Sequence, residues 1–462
     1  MFMFPCPLRP LLGPIAIYAI MCVCWVGFVY WLAPDIVAYS ELNPSTLDFV
    51  AAALLAALLH LVIVLFIYRI DRKHRDVLKP ARPYSDVNAA LVVFSAAFLA
   101  LTVLSGIHGD YQGYLHMWTA VLAGRDPWES GASVDWWVNN YGPLFNALAP
   151  LTWINPFMNK LLFAFSYLVY VIWLIKVLAP RRGCVALSWP WVGLWLLNPF
   201  PWEQIAYIGY FDILVSLACV AAVHSLLNSK DSTSGTYLAL GILLKYMPIV
   251  ILPFLVFSKR RFHFRALISC AGVVFLGLVV SVLIWGTSTF SPLTVAVTRE
   301  SILSIYIVLP STHSPLRPFL PSLNVDWLDK PFLLTAGLGM FTWCIFRKIE
   351  PALSSALAIL VTLLFYRVGY ANYQMVFFSL ILYWSVFNWA QFKEHFVLAA
   401  LLIAYFCFLT IQNLYFPWGL IGNIFYSKII IALVQFLLGC TLLICLAQLR
   451  PEQRESGDTQ TG

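Results

Sequence analysis

Residues 69–110 read RIDRKHRDVLKPARPYSDVNAALVVFSAAFLALTVLSGIHGD. A run of bases, an apolar run and a carboxylate follow one another here, and their order decides the architecture. Arg69, Arg72, Lys73, Arg75, Lys79 and Arg82 form the most basic loop of the chain. Short loops rich in lysine and arginine stay on the cytoplasmic side of a bilayer. Asn88–Ile107 supplies the ~20 residues that cross a hydrocarbon core. It therefore runs outward and delivers Asp110 to the extracytoplasmic surface.

Composition agrees with that reading. Of 462 residues, 61% are hydrophobic and 11% charged, against roughly 25% charged in a soluble domain. A string of soluble domains is excluded, and a polytopic all-α membrane protein is implied. The net charge of +7 sits in short blocks between apolar runs, so nucleic acid is not an expected partner. The cysteines fall mostly inside apolar runs (Cys22, Cys24, Cys219, Cys270, Cys344, Cys407, Cys440 and Cys445). With no CxxC spacing they read as small packing residues, not as a disulfide or metal framework. The first run, Leu11–Ala33, reads as an uncleaved span.

Outward from the opening stretch, Asp48–Tyr68 is a span on its N-terminal side. On its C-terminal side lies a long external loop, His108–Pro143. Within it Tyr111–Ala123 has helical composition suited to the membrane surface, and Trp118, Trp128, Trp136, Trp137 and Tyr141 suit the interfacial belt. Tyr141–Ile154 is a further short interfacial helix. Phe157–Leu178 crosses inward to Arg181 and Arg182, Val185–Leu197 outward, and Phe211–Leu227 inward again.

Residues 236–257 admit two readings, a single crossing or a re-entrant pair of short helices. Lys245-Tyr246-Met247-Pro248 interrupts the middle, where a proline and a lysine are both costly unless they face a cavity. A single crossing would place Lys259, Arg260, Arg261 and Arg265 outside and invert every later basic loop. The re-entrant pair keeps them cytoplasmic. Arg265–Gly286 then leads to an external loop, 287–330. Pro331–Phe346, Ala352–Tyr366, Tyr373–Trp389, Phe396–Gln412 and Ile429–Leu449 complete about twelve crossings, with both ends inside. The chain divides into two added N-terminal spans and a basic loop (1–87), a core (88–390), C-terminal spans (391–449) and a polar cytoplasmic tail (450–462).

On this topology the external face receives Asp110, His108, His116, Asp126, Glu129, Glu203, Asp212, Arg299, Glu300, His313, Arg317, Asp326 and Arg367. A carboxylate at the membrane surface can take a proton from an acceptor hydroxyl. Cations beside it can hold the phosphate of a lipid-linked sugar as that phosphate departs. Each candidate also has a plainer reading. Asp110 could be a helix-terminus carboxylate and Asp126, before Pro127, a turn-former. His313 could be a solvated loop residue and Arg367 a snorkelling side chain.

Four groups of residues carry a family resemblance: Asp110 with Tyr114, Ala120, Leu122, Gly124-Arg125-Asp126-Pro127-Trp128 and Tyr141-Gly142-Pro143; Asn198-Pro199 with Gly209-Tyr210-Phe211-Asp212; Lys245-Tyr246-Met247-Pro248 with Pro253 and Lys259-Arg260-Arg261; and Tyr370-Ala371-Asn372-Tyr373-Gln374. In that order they resemble the GT-C class of polyprenyl-phosphate-sugar-dependent glycosyltransferases, especially the bacterial and archaeal branch related to phosphatidylinositol mannoside mannosyltransferases. The resemblance covers roughly residues 86 to 390.

The resemblance implies a GT-C-like helical bundle and an inverting hexosyltransferase in a bacterial or archaeal plasma membrane, with its active site outside. It further implies a polyprenyl-phosphate sugar as donor, with mannose as the family's sugar, and a lipid-linked or polymeric glycan as acceptor among membrane lipids. Asp110 takes the place of the general base. Lys245, Arg299, His313, Tyr306, Asp212 and Gln374 are the expected donor-phosphate and substrate-binding residues. Asp110-Tyr111-Gln112 departs from the Asp-x-Asp pair of some relatives, so no cofactor is expected and a divalent metal is not favoured. The competing reading is a transporter or flippase of lipid-linked glycans. Such proteins pair broken helices across two repeated halves, and one broken segment is found, around Pro248.

Overall fold

Without water to satisfy it, a chain in hydrocarbon closes its backbone hydrogen bonds internally, and an apolar run does so as a helix. The computed structural model describes residues 45–75, 84–107, 109–128, 139–181, 197–258, 261–298, 303–307, 329–389, 392, 395–415 and 424–449. These are helical almost throughout. Among them Leu47–Ile70, Val87–Leu104, Met158–Arg181, Phe264–Ala296 and Ile429–Gln448 are long and apolar enough to cross a membrane. Asp212–Leu227, Met247–Val256, Pro351–Phe365, Ala371–Phe387 and Phe396–Gln412 are shorter apolar helices. The protein is a helical, multi-pass membrane protein. The expected spans Leu11–Ala33 and Val185–Leu197 lie outside the described residues, as does the C-terminal tail.

The chain forms two compact units, residues 1–214 with 285–292 and residues 215–284 with 293–462. In the first, helix Thr46–Arg75 begins with a reciprocal cap. The backbone N–H and hydroxyl of Ser45 donate to the Asp48 carboxylate at 2.9 and 2.7 Å, and the Asp48 N–H donates back to Ser45 Oγ at 3.2 Å. This satisfies orphan donors at the helix start. Leu54, Leu58, Leu61 and Leu65 of this helix are exposed, as suits a face toward lipid. The helix packs beside Tyr84–Leu104 and Met158–Trp173. Between these elements the rings of Phe94, Phe98, Tyr167 and Trp202 meet at centroid distances of 5.1–5.4 Å.

In the second unit, residues 236–257 are broken into shorter pieces. Helix Asp231–Leu244 stops at Lys245, whose backbone is extended (φ −155°, ψ 127°). The next proline, Pro248, lies in a 3₁₀ turn, Met247–Ile251, followed by a short helix, Leu252–Val256. A two-residue hairpin then pairs Phe257–Ser258 with Arg261–Phe262, and helix Phe264–Trp285 starts. Gly235 lies so close to this last helix that a Cβ there would stand 2.1 Å from the Ala266 carbonyl oxygen. One on Gly277 would stand 2.6 Å from Leu243. Positions 235 and 243 thus match 266 and 277 in the same order, and the two helices run side by side in one direction. His263 Nδ1 lies 3.2 Å from Asp231 Oδ2 at their common end. Met247–Val256 lies between them in the chain.

Pro351–Phe365 is the core of this unit. It is buried nearly throughout and packs against helices Asp329–Arg347, Met375–Phe387 and Ile424–Gln448.

One expected element differs. Tyr141–Ile154 is not a continuous helix but two short turns, Pro143–Asn146 and Ala149–Trp153. Pro143 and Pro150 each stand in the first positions of a turn, and neither can donate a helical hydrogen bond.

Candidate active site

The site in the first unit starts where the apolar helix Tyr84–Leu104 ends. Gly106 adopts a left-handed backbone (φ 72°), which glycine reaches without a Cβ penalty. The chain turns there into helix Gly109–Leu122, and Asp110 falls in its first turn. That position favours a carboxylate, because the free N–H groups and the helix dipole present positive charge. Asp110 is half-buried. Burial, with Asp110 beside it, keeps the Tyr210 phenol protonated.

The helix does not lie with its rings at a membrane surface, as its composition suggested. Tyr111, Tyr114 and Trp118 are fully or almost fully buried. Tyr114 makes edge contacts with Tyr141, Phe145 and Phe211 at 5.4, 5.2 and 5.6 Å. Trp118 Nε1 donates to the Phe145 carbonyl at 3.0 Å, and Trp128 Nε1 to the Tyr141 carbonyl at 3.2 Å. These rings have hydrogen-bond partners inside the protein, so they are packing elements and not interfacial anchors. Asp126 accepts from the Trp128 N–H at 2.9 Å, the local turn expected of an acid before Pro127. Asn139 Nδ2 donates to the Pro127 carbonyl at 3.1 Å, which ties the two described ends of the loop together. Trp136, Trp137, His108 and Glu129 lie outside the described residues.

Three carboxylates surround these tyrosines. Burial pushes the Tyr114 phenol well above its ordinary range, and the charges of Tyr141, Asp110 and Asp212 push in the same direction. Burial does the same to Tyr210, with Asp110 adding through charge and hydrogen bond, and Tyr141 and Glu203 through charge. Both phenols therefore stay protonated and remain hydrogen-bond donors. Asp212 is fully buried in the first turn of helix Asp212–Leu227. Glu203, also fully buried, accepts from Gln204 Nε2 at 3.0 Å.

A lysine that the sequence reading passed over holds this region together. Lys160 is fully buried, and its ammonium donates to Ser105 Oγ and the Gly106 carbonyl, both at 2.8 Å. Ser105 in turn donates to the Ala206 carbonyl at 3.2 Å. The Lys160 backbone N–H donates to the Tyr111 hydroxyl at 3.1 Å, and that hydroxyl donates to the Pro156 carbonyl at 2.7 Å. The signal was available: a lysine inside an apolar span requires a partner.

The second unit holds other expected residues. Lys245 is buried, with Nζ 3.9 Å from the centroid of the Tyr373 ring, a cation–π arrangement. Gln374 is fully buried, and neither end of its amide has a hydrogen-bond partner among the described residues. Tyr306 donates to the Phe365 carbonyl at 3.1 Å. Its phenol is pushed up to about 12 by burial, with Asp329 adding and Arg367 opposing. Arg367 does not snorkel. It is buried and donates from Nε and Nη2 to the Asp329 carboxylate at 2.8 and 3.3 Å. Arg299 and His313 lie outside the described residues. Asp110 and Asp212 thus belong to one unit, and Lys245, Tyr306 and Gln374 to the other.

No curated protein matches the chain. Residues 139–368 match the family model of glycosyltransferase family 87. The matched stretch takes in Tyr210, Asp212, Lys245 and Tyr306 and leaves Asp110 and Gln374 outside it. Over just under half of its length the chain is therefore similar to glycosyltransferase family 87, and this likeness, with the apolar helices, supports a membrane glycosyltransferase.

Proposed function

We propose that the protein is an inverting glycosyltransferase that moves a hexose, mannose by resemblance, from a polyprenyl-phosphate sugar to a lipid- or glycan-linked acceptor. The reaction takes place on the extracytoplasmic side of a bacterial or archaeal plasma membrane. The observation that carries the reading is the setting of Asp110. It is a half-buried carboxylate in the first turn of a buried helix, one short turn beyond an apolar span. A carboxylate so placed is ready to accept the proton of an acceptor hydroxyl as that oxygen attacks the anomeric carbon. The bond from that carbon to the donor phosphate breaks, and the phosphate leaves with the electron pair.

By the resemblance, Lys245 and Gln374 are proposed to bind the donor phosphate and the sugar. Lys245 is a buried ammonium next to the broken part of its segment, suited to a phosphate oxygen. Gln374 has a donor and an acceptor free among the described residues, suited to sugar hydroxyls. Tyr306, Asp212, Arg299 and His313 complete the proposed binding set. Residues 236–257 are the proposed re-entrant pair, a reading supported by the parallel run of helices Asp231–Leu244 and Phe264–Trp285 and the approach of His263 to Asp231.

Transfer from a radiolabelled polyprenyl-phosphate sugar into membrane acceptors tests the reading. Asp110→Asn keeps the shape and removes the base, and it is expected to lower transfer by about 10²-fold or more. Lipid-linked glycan movement without any label transfer would favour the flippase reading instead.

A further inference from the structure

We infer that Tyr373 is a positioning residue for Lys245, and that the face of its ring holds the ammonium where the phosphate of a lipid-linked donor meets it. This rests on the reading of Lys245 as a phosphate-binding residue and adds a residue to which that reading gave no role. Everything that carries it lies in the second unit. Lys245 Nζ stands 3.9 Å from the centroid of the Tyr373 ring. The lysine is 5% exposed, and a cation–π contact gains strength as water is removed from it. A ring face attracts a cation through its quadrupole and brings no negative charge of its own. The carboxylate of Asp329, which holds Arg367 at 2.8 Å, does bring one. An aromatic seat therefore orients an ammonium without adding repulsion toward an incoming phosphate.

Lysine and ring are both set against one helix. The Lys245 N–H donates to the Gly241 carbonyl at 3.0 Å, and the extended backbone of Lys245 leads into the Met247–Ile251 turn. That turn packs against Pro351–Phe365. Tyr373 lies in the 3₁₀ turn Ala371–Gln374, which packs against the same helix. The stretch leading into the second turn is pinned as well. The Gly369 carbonyl accepts from Gln412 Nε2 at 3.4 Å and from Gln435 Nε2 at 3.3 Å, on helices Phe396–Tyr415 and Ile424–Gln448. A Cβ on Gly369 would stand 2.1 Å from the Leu303 carbonyl oxygen, so the close approach requires glycine. The Tyr373 N–H donates to the Tyr370 carbonyl at 3.2 Å. The ring is thus carried on a backbone held from three sides. Gln374, whose amide has no hydrogen-bond partner among the described residues, follows it directly.

The test is equilibrium binding of radiolabelled polyprenyl phosphate to the purified full-length protein in detergent, with KM and kcat for the polyprenyl-phosphate sugar beside it. Tyr373→Phe keeps the ring and is expected to bind within about threefold of wild type. Tyr373→Leu removes the ring and is expected to weaken binding and raise KM by about 5- to 30-fold, with kcat within about threefold. Phenylalanines carrying one, two and three ring fluorines at position 373 keep the shape and drain the quadrupole, so affinity is expected to fall along the series. A ring that only packs would leave the series flat, and a flat series overturns the inference. Tyr373→Phe as weak as Tyr373→Leu overturns it too, because the hydroxyl would then be the active group. In a Lys245→Met background, Tyr373→Leu is expected to add nothing, and a further loss there contradicts a role exerted through Lys245. If Lys245→Met binds polyprenyl phosphate like wild type, the phosphate reading of Lys245 fails and this role falls with it. If Lys245→Met binds weakly and the fluorinated series is flat, only the role of Tyr373 falls.

Discussion

Arg367 and Asp329 meet as a buried two-point ion pair. Removing one partner of such a pair leaves an uncompensated buried charge, at a cost of about 3–5 kcal/mol, whereas replacing both with apolar groups of similar volume is often neutral. Asp329→Asn is expected to lower the melting temperature of the purified protein in detergent clearly, and Arg367→Met with Asp329→Leu to recover most of it. Equal melting of the single variant and wild type would show that the pair contributes nothing. Tyr111→Phe is a milder case, since it removes the hydroxyl linking Pro156 to the Lys160 N–H. It is expected to cost about 1–3 kcal/mol in the same melting measurement. At this scale the sequence was only partly legible. Asp110 stood out because a carboxylate followed an apolar run with a basic block before it. The snorkelling alternative for Arg367 falls to a partner 38 residues away, and pairing at that range follows only from the fold. Tyr210 looked like one ring among many, because the carboxylates that come near it lie on other elements of the fold.

Elements were more legible than contacts, because a bilayer converts an apolar run into a helix with few alternatives. The interruption at Lys245-Tyr246-Met247-Pro248 was legible for the same reason: proline removes a donor, and the helix does end at Leu244. Tyr141–Ile154 failed because two prolines at close spacing set turns, and the apolar content between them did not decide the outcome. The close approach of Gly235 to Ala266 was not legible, since a glycine in a helix has several uses. It yields a prediction at this scale. Gly235→Val places carbon where the Ala266 carbonyl stands, and separating the two helices is expected to destabilise the protein by about 1–3 kcal/mol. The same change at Gly337, where a Cβ meets nothing within 4 Å, is the control in a detergent melting series. Equal behaviour of the two variants would contradict the packing described here.

For the molecule as a whole, the charge pattern argues for orientation and the site argues for chemistry, and both can be tested in intact cells. A membrane-impermeant thiol reagent is expected to label a cysteine introduced at Gly131 and to spare one at Lys73. Cysteines at Ser232 and Arg261 should both be spared if, as proposed, residues 236–257 leave and return on one side. Labelling of only one of these last two would replace the re-entrant pair with a single crossing. The central claim is that Asp110 is the base of a sugar transfer, and one measurement bears on it most directly: label transfer from a polyprenyl-phosphate sugar into membrane acceptors by wild type and by Asp110→Asn at matched protein levels. The account predicts transfer by wild type and a loss of about 10²-fold or more in the variant. Transfer by Asp110→Asn at the wild-type rate would contradict it.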